Sequence, residues 1–157
     1  MYSVTKRIDF CYGHRLLDYE GICKHPHGHN ATAEIEVRTG TLDNRNMVCD
    51  FSDIKRVVKG WIDGELDHKM LLRHDDPLVR PLQTLGEPVF LLDSNPTVER
   101  IAKLIFDKAT EEGFPVVRVK RTNGAILDRG GTRMFRGGSR RGCELSFVQD
   151  LGSRRRA

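Results

Sequence analysis

Cys23-Lys24-His25-Pro26-His27-Gly28-His29-Asn30-Ala31-Thr32-Ala33-Glu34-Ile35-Glu36-Val37 is the stretch on which the reading of this chain turns. Its second half alternates. Ala33, Ile35 and Val37 fall on one face, Thr32, Glu34 and Glu36 on the other. A period of two, apolar against polar, marks a strand half-buried in a sheet. Its first half sets His27 and His29 two residues apart. In extended backbone such side chains share a face and lie roughly 6–7 Å apart. Two imidazoles can then converge on one ion, each at about 2.0–2.1 Å.

Upstream, Ser3 to Phe10 alternates loosely through Val4, Ile8 and Phe10, and reads as an earlier strand with His14 just past its end. Gly13 to Gly28 reads as a loop. If it folds back, the two strands pair and His14 supplies a third nitrogen. Three imidazoles leave a fourth position open, the arrangement of catalytic rather than structural zinc. Zinc suits such a donor set, although iron and nickel also take imidazole. Cys23 has three readings. It is an inert buried thiol, a base whose pKa a nearby cation lowers, or a fourth ligand that closes the site. Asp67-His68 is either a solvated helix end, where His complements the dipole, or a pair able to orient and relay a proton. His25 and His74 read as surface residues, and Asp50 as a helix cap.

Downstream the period changes. Phe51, Ile54, Val58, Trp61, Ile62 and Leu66 follow helical spacing, and Asp50 or Ser52 can cap the start. Met47 to Cys49 reads as a short extended piece. Leu71 to Leu92 is long and irregular, with Pro77, Pro81, Gly86 and Pro88. Asn95-Pro96 opens a second helix, Asn as N-cap and Pro at the first position. Its apolar stripe is Val98, Ile101, Ala102, Ile105 and Ala109, and Gly113 and Pro115 stop it. Val116 to Arg121 is a third strand. Runs of strands and of helices, not strict alternation, predict an α+β fold with an antiparallel sheet and both helices on one face.

With 157 residues, 38% hydrophobic and 31% charged, the chain suits one soluble domain. No run of 18 apolar residues reads as a membrane span, and the first residues do not read as a signal peptide. Cys11, Cys23, Cys49 and Cys143 show no paired spacing, so reduced thiols and the cytoplasm are expected. The net charge of +4 is uneven. Residues 122–157 hold eight arginines, no lysine and three acids, which leaves −1 for the rest. The basicity therefore does not make the body a nucleic-acid binder. This division predicts a domain over residues 1–121 and an Arg/Gly-rich tail over 122–157. Such a tail is too poor in apolar residues to offset ordering entropy. A shifted reading frame would give the same lysine-free composition.

Phe10-Cys11-Tyr12-Gly13-His14-Arg15-Leu16, Cys23 to Asn30, Met47-Val48-Cys49-Asp50-Phe51, Leu66-Asp67-His68 and Asn95-Pro96-Thr97-Val98-Glu99 together resemble the 6-pyruvoyl-tetrahydropterin synthase / 6-carboxy-tetrahydropterin synthase family. The resemblance implies a tunnelling fold, with a four-stranded antiparallel sheet, two helices, and assembly into barrel-like homo-oligomers, commonly hexamers. It implies Zn2+ on His14, His27 and His29, Cys23 as the proton-abstracting base, and Asp67 and His68 as the proton relay. Thr97 and Glu99 match positions near the pterin. The implied substrate is 7,8-dihydroneopterin triphosphate. The implied product is 6-carboxy-tetrahydropterin, a queuosine precursor, made with release of acetaldehyde and triphosphate. Other members make 6-pyruvoyl-tetrahydropterin. One departure stands out. Where the family has a Glu-Thr step whose glutamate anchors the pterin, this chain has Arg121-Thr122. Glu144 is a substitute in a different context. A zinc-binding homologue without activity is the rival expectation.

Overall fold

The computed structural model describes residues 1–122 and 125–128. Two long strands carry the sheet. β1 (Tyr2–His14) and β2 (His27–Thr39) pair antiparallel over their full length, from Tyr2 opposite Thr39 to His14 opposite His27. Both run further than their alternation indicates. The histidine motif is itself extended, so His14, His27 and His29 lie on paired strands and the loop shrinks to residues 15–26. β5 (Val116–Thr122) joins the far side of β2, and β6 (Ala125–Asp128) joins β5, both antiparallel.

The expected four strands become six among the described residues. β3 (Lys69–Arg73) and β4 (Val89–Leu92) extend the sheet in parallel from the free side of β1, giving the order β4-β3-β1-β2-β5-β6. They occupy the stretch read as an irregular loop. The four breakers there hide any long period, and the short strands flank them, β3 ending before Pro77 and β4 starting after Pro88. The parallel pair needs a crossover, which includes the short helix α3 (Val79–Thr84).

The first helical run spans residues 51–65: α1 (Phe51–Ile54), a π-helical turn (Lys55–Lys59) and α2 (Gly60–Glu65). Asp50 caps it by accepting the Ser52 N–H at 2.8 Å. Ile54, Val58, Ile62 and Leu66 are fully buried, while Phe51, read as part of that stripe, is exposed under the Lys6 ammonium. α4 (Val98–Glu111) buries Ile101, Ala102, Ile105, Phe106 and Ala109. Both helical runs share one core with Ile8, Phe10, Tyr12, Ala31, Ala33, Ile35 and Val37, so both cover the same sheet face. Fully burying one such Ile or Leu contributes about 1.5–3 kcal/mol, which is why this face fixes the register. The other face is polar, with Arg7 and Lys120 flanking Glu34 at 3.5 and 3.8 Å.

Two local expectations are corrected. Met47 to Cys49 joins no strand, and the chain bends at Val48 and Cys49. The cap of α4 is Thr97, not Asn95: the Thr97 hydroxyl accepts the Arg100 N–H at 3.2 Å. Asn95 instead clasps Leu17, accepting its N–H at 2.9 Å and donating to its carbonyl at 2.7 Å. Apart from Thr122 and β6, the Arg/Gly-rich segment, Glu144 included, lies outside the described residues. No helix of the described residues is long and apolar enough to cross a membrane.

Candidate metal centre

Strand parity brings the three histidines together. His14 faces the helices with Phe10 and Tyr12, and His27 and His29 fall on the same side of β2. The Nε2 atom of His14 lies 3.1 Å from Nε2 of His27 and 3.1 Å from Nε2 of His29. A tetrahedral ion held at 2.0–2.1 Å sets its nitrogen ligands about 3.3 Å apart. One ligand nitrogen from each ring lies within 4.8 Å of the other two, and Cys23 does not belong to the group.

Backbone carbonyls fix how two of the rings present themselves. His14 Nδ1 donates to the Pro96 carbonyl at 2.7 Å, and His27 Nδ1 donates to the His25 carbonyl at 2.8 Å. A carbonyl only accepts, so Nδ1 carries the hydrogen in both rings and Nε2 carries the lone pair. Two lone pairs therefore face each other across 3.1 Å. That contact is repulsive unless a cation lies between them. Burial pushes the His14 pKa down to about 4, with the Pro96 bond opposing and the charges of His27, His29 and Arg121 adding, so His14 does not itself carry that cation as a second proton near neutrality. Burial, His27 and Arg121 also lower His29. The residues fit a metal ion, and the Nδ1 bonds are the orienting partners that metal-bound imidazoles usually have.

The neighbouring elements hold this arrangement. Arg15, next to His14, forms a bidentate pair with buried Asp76, its Nε donating to Oδ2 at 2.7 Å and Nη2 to Oδ1 at 2.5 Å. Cys23 sits in a 3₁₀ turn (Ile22–Lys24), and its carbonyl accepts the Leu16 N–H at 2.9 Å, folding the loop onto the end of β1.

Asp67 and His68 lie elsewhere. Asp67 Oδ1 accepts the Cys11 N–H at 2.7 Å, and its Oδ2 stands 2.9 Å from His68 Nδ1. Burial works to raise the Asp67 pKa, but the bonds from Cys11 and His68 outweigh it and the carboxylate sits below its usual range. His68 adopts φ +57°, the left-handed region, and donates its N–H to the Cys11 carbonyl at 2.8 Å. The partner of this pair is thus Cys11, whose side chain alternates to the other sheet face from His14. Within one chain, Cys23 and the Asp67–His68 pair do not form one cluster among the described residues. Thr97 is engaged as the α4 cap, and Glu99 sits half-buried in the first turn.

Sequence reasoning missed Arg121 as an inward-facing residue. Val119 and Arg121 are two apart in β5 and share the buried face. The parity was visible, but charge argued for the surface.

A mixed sheet with helices on one face, and between its two longest strands a three-histidine cluster that could hold a metal ion, defines a tunnelling-fold protein. The comparisons carry this further. The chain belongs to the 6-pyruvoyl tetrahydropterin synthase family, whose model matches residues 3–127. The 6-carboxy-5,6,7,8-tetrahydropterin synthase of Rickettsia bellii is 36% identical over 127 residues, covering 76% of this chain and 92% of that protein. Its namesake in Haemophilus influenzae is 30% identical over 116 residues, covering 69% and 82%. Among solved structures, an uncharacterized protein of Wolinella succinogenes matches with TM-score 0.62 at 26% identity, over 76% of this chain and 91% of that one. The 6-pyruvoyl tetrahydropterin synthase of Caenorhabditis elegans matches with TM-score 0.55 at 21% identity, over 75% and 85%, and shares the fold.

Proposed function

We propose that this chain is a zinc-dependent 6-carboxy-5,6,7,8-tetrahydropterin synthase. It takes 7,8-dihydroneopterin triphosphate and releases acetaldehyde and triphosphate. Its product is a precursor of queuosine, its compartment the cytoplasm and its working state a homo-oligomer, a hexamer by family likeness. The convergence of His14 and His27 carries the reading. Their lone pairs face each other at 3.1 Å with both Nδ1 hydrogens committed to backbone carbonyls. The curated relatives bearing that synthase name support the choice of reaction.

His14, His27 and His29 would hold the Zn2+, which supplies a Lewis acid able to lower the pKa of bound hydroxyls. Cys23, on the turn that delivers the loop, takes the proton from substrate carbon as thiolate. His68, oriented by Asp67, returns protons. Thr97 and Glu99 border the pterin. Cys23 and Asp67–His68 stand apart within one chain, so the working site draws on more than one copy.

The test is direct. Zinc-loaded protein incubated with 7,8-dihydroneopterin triphosphate should release acetaldehyde and give 6-carboxy-tetrahydropterin by mass spectrometry. 6-Pyruvoyl-tetrahydropterin without acetaldehyde would move the chain to the sister activity. No turnover by a zinc-loaded oligomer would favour the second reading, a metal-binding homologue without this activity. Arg121 at the Glu-Thr step is the observation behind that alternative.

A further inference from the structure

Arg121 is buried to 1% exposure, and among the described residues no other arginine or lysine is buried. Its guanidinium carbon stands 4.6 Å from the centroid of the Tyr12 ring. That ring meets His14 edge-on at 5.3 Å and His29 at 5.7 Å, centroid to centroid. Arg121 therefore borders the buried side of the histidine cluster, while half-buried His27 and His29 form its more open side.

Stacking satisfies only the face of a guanidinium. Its N–H groups point outward in the plane of the fork. By hydrogen-bond geometry Nε, Nη1 and Nη2 of Arg121 and the Tyr12 hydroxyl have no partner among the described residues. The hydroxyl lies near enough to interact with the guanidinium, but it is one neutral oxygen and leaves most of the fork's donors unused. Glu99 supplies the nearby opposite charge, but none of the described ion pairs includes Arg121. A buried cation with unused donors is costly to a fold, and here it stands beside a site built to receive a ligand.

We propose that Arg121 is the oxyanion-binding residue of this site, gripping a carboxylate or phosphate of the ligand held against the histidine cluster. The proposal rests on the metal-centre and pterin reading given above. A guanidinium only donates, so it cannot receive the ring N–H groups of an aminopyrimidinone. It can receive oxygen acceptors, and its fork matches the paired oxygens of a carboxylate or phosphate. Two parts of a pterin ligand carry them: the phosphates of the substrate side chain and a carboxylate at C6. Arg121 thus selects acidic pterins over neutral ones.

The experiment compares 6-carboxypterin with pterin, by calorimetry on full-length zinc-loaded protein with metal content measured in each sample. Wild type should bind 6-carboxypterin about tenfold or more tighter, the gain of one charge-assisted contact. Arg121→Gln should erase the preference at unchanged zinc content, and Arg121→Lys should restore part of it. Equal binding of both pterins by wild type, or an undiminished preference in Arg121→Gln, overturns the proposal. Folding gives a second measure. Removing an unpartnered buried charge should leave the ligand-free thermal midpoint of Arg121→Gln at or above wild type. A fall of more than about 5 °C would mean that an acceptor elsewhere in the chain already serves Arg121, and would also overturn it. Inorganic phosphate should weaken 6-carboxypterin binding to wild type and leave Arg121→Gln unaffected, because both oxyanions compete for one fork. No competition in wild type assigns the grip to the carboxylate alone. Acetaldehyde release is scored separately. An Arg121-dependent preference without turnover sinks the lyase reading alone, and turnover without the preference sinks only the role of Arg121.

Discussion

Asp76→Ala should cost the fold about 3 kcal/mol, the lower end of what removing one partner of a buried ion pair costs. The Asp76 side chain has no exposed surface, whereas Arg15 keeps 18%. The abandoned guanidinium can regain some water, which argues for the lower end. The carboxylate also accepts the Leu78 N–H at 2.8 Å, so the loop after β3 loses a second bond. Urea unfolding at fixed protein concentration measures the loss, and a midpoint about 10 °C lower by calorimetry corresponds to it. A cycle with Arg15→Ala and the double variant should give a coupling of about 2 kcal/mol. Loss below about 1 kcal/mol, or additive single effects, would refute the view that this pair holds the end of β1.

The pair also sets a pH dependence. Burial works to raise the Asp76 pKa, but the Arg15 bonds, the Leu78 N–H and the Arg15 charge outweigh it, and the carboxyl lies below its usual range. A carboxylate depressed in the folded state stabilises above its unfolded pKa of about 3.9 and loses that contribution as pH falls through the folded value. The stability gap between wild type and Asp76→Asn should therefore be constant near neutrality and shrink below about pH 4.

Other outcomes follow from the same geometry. His27→Ala removes one of three nitrogens, and elemental analysis of the purified variant should show zinc lost together with turnover. Cys23→Ala should keep its zinc and lose turnover; zinc loss there would make the thiol a ligand. Thr97→Ala removes the α4 cap and should cost about 1 kcal/mol in urea unfolding, with little change if the cap is dispensable.

Much of this architecture could be read from the chain. Ala33, Ile35 and Val37 place β2, and the stripes Ile54–Val58–Ile62 and Ile101–Ile105–Ala109 place both helices, because a face buried against one core leaves a period. β3 and β4 leave none. They are too short to show alternation, and tertiary pairing at the sheet edge makes them strands. The cap of α4 is hidden from the sequence for a similar reason. Asn95 has the better capping chemistry, but its amide is taken by Leu17 across the fold.

The site divides along the same line. The convergence of His14, His27 and His29 could be anticipated, since two of them share a strand face and the third ends the strand paired with it. What aims them could not. The Pro96 and His25 carbonyls that commit the Nδ1 hydrogens belong to backbone, and any residue carries a carbonyl. Only the folded positions of the α4 start and of the loop before β2 decide that these oxygens meet those rings. The Asn95–Leu17 clasp and the Arg15–Asp76 pair then matter for chemistry as well as stability, because they anchor the chain directly after His14, the first of them beside Pro96. A variant that loosens either should weaken zinc affinity without touching a ligand, in the range of about 10–100-fold seen for outer-shell partners.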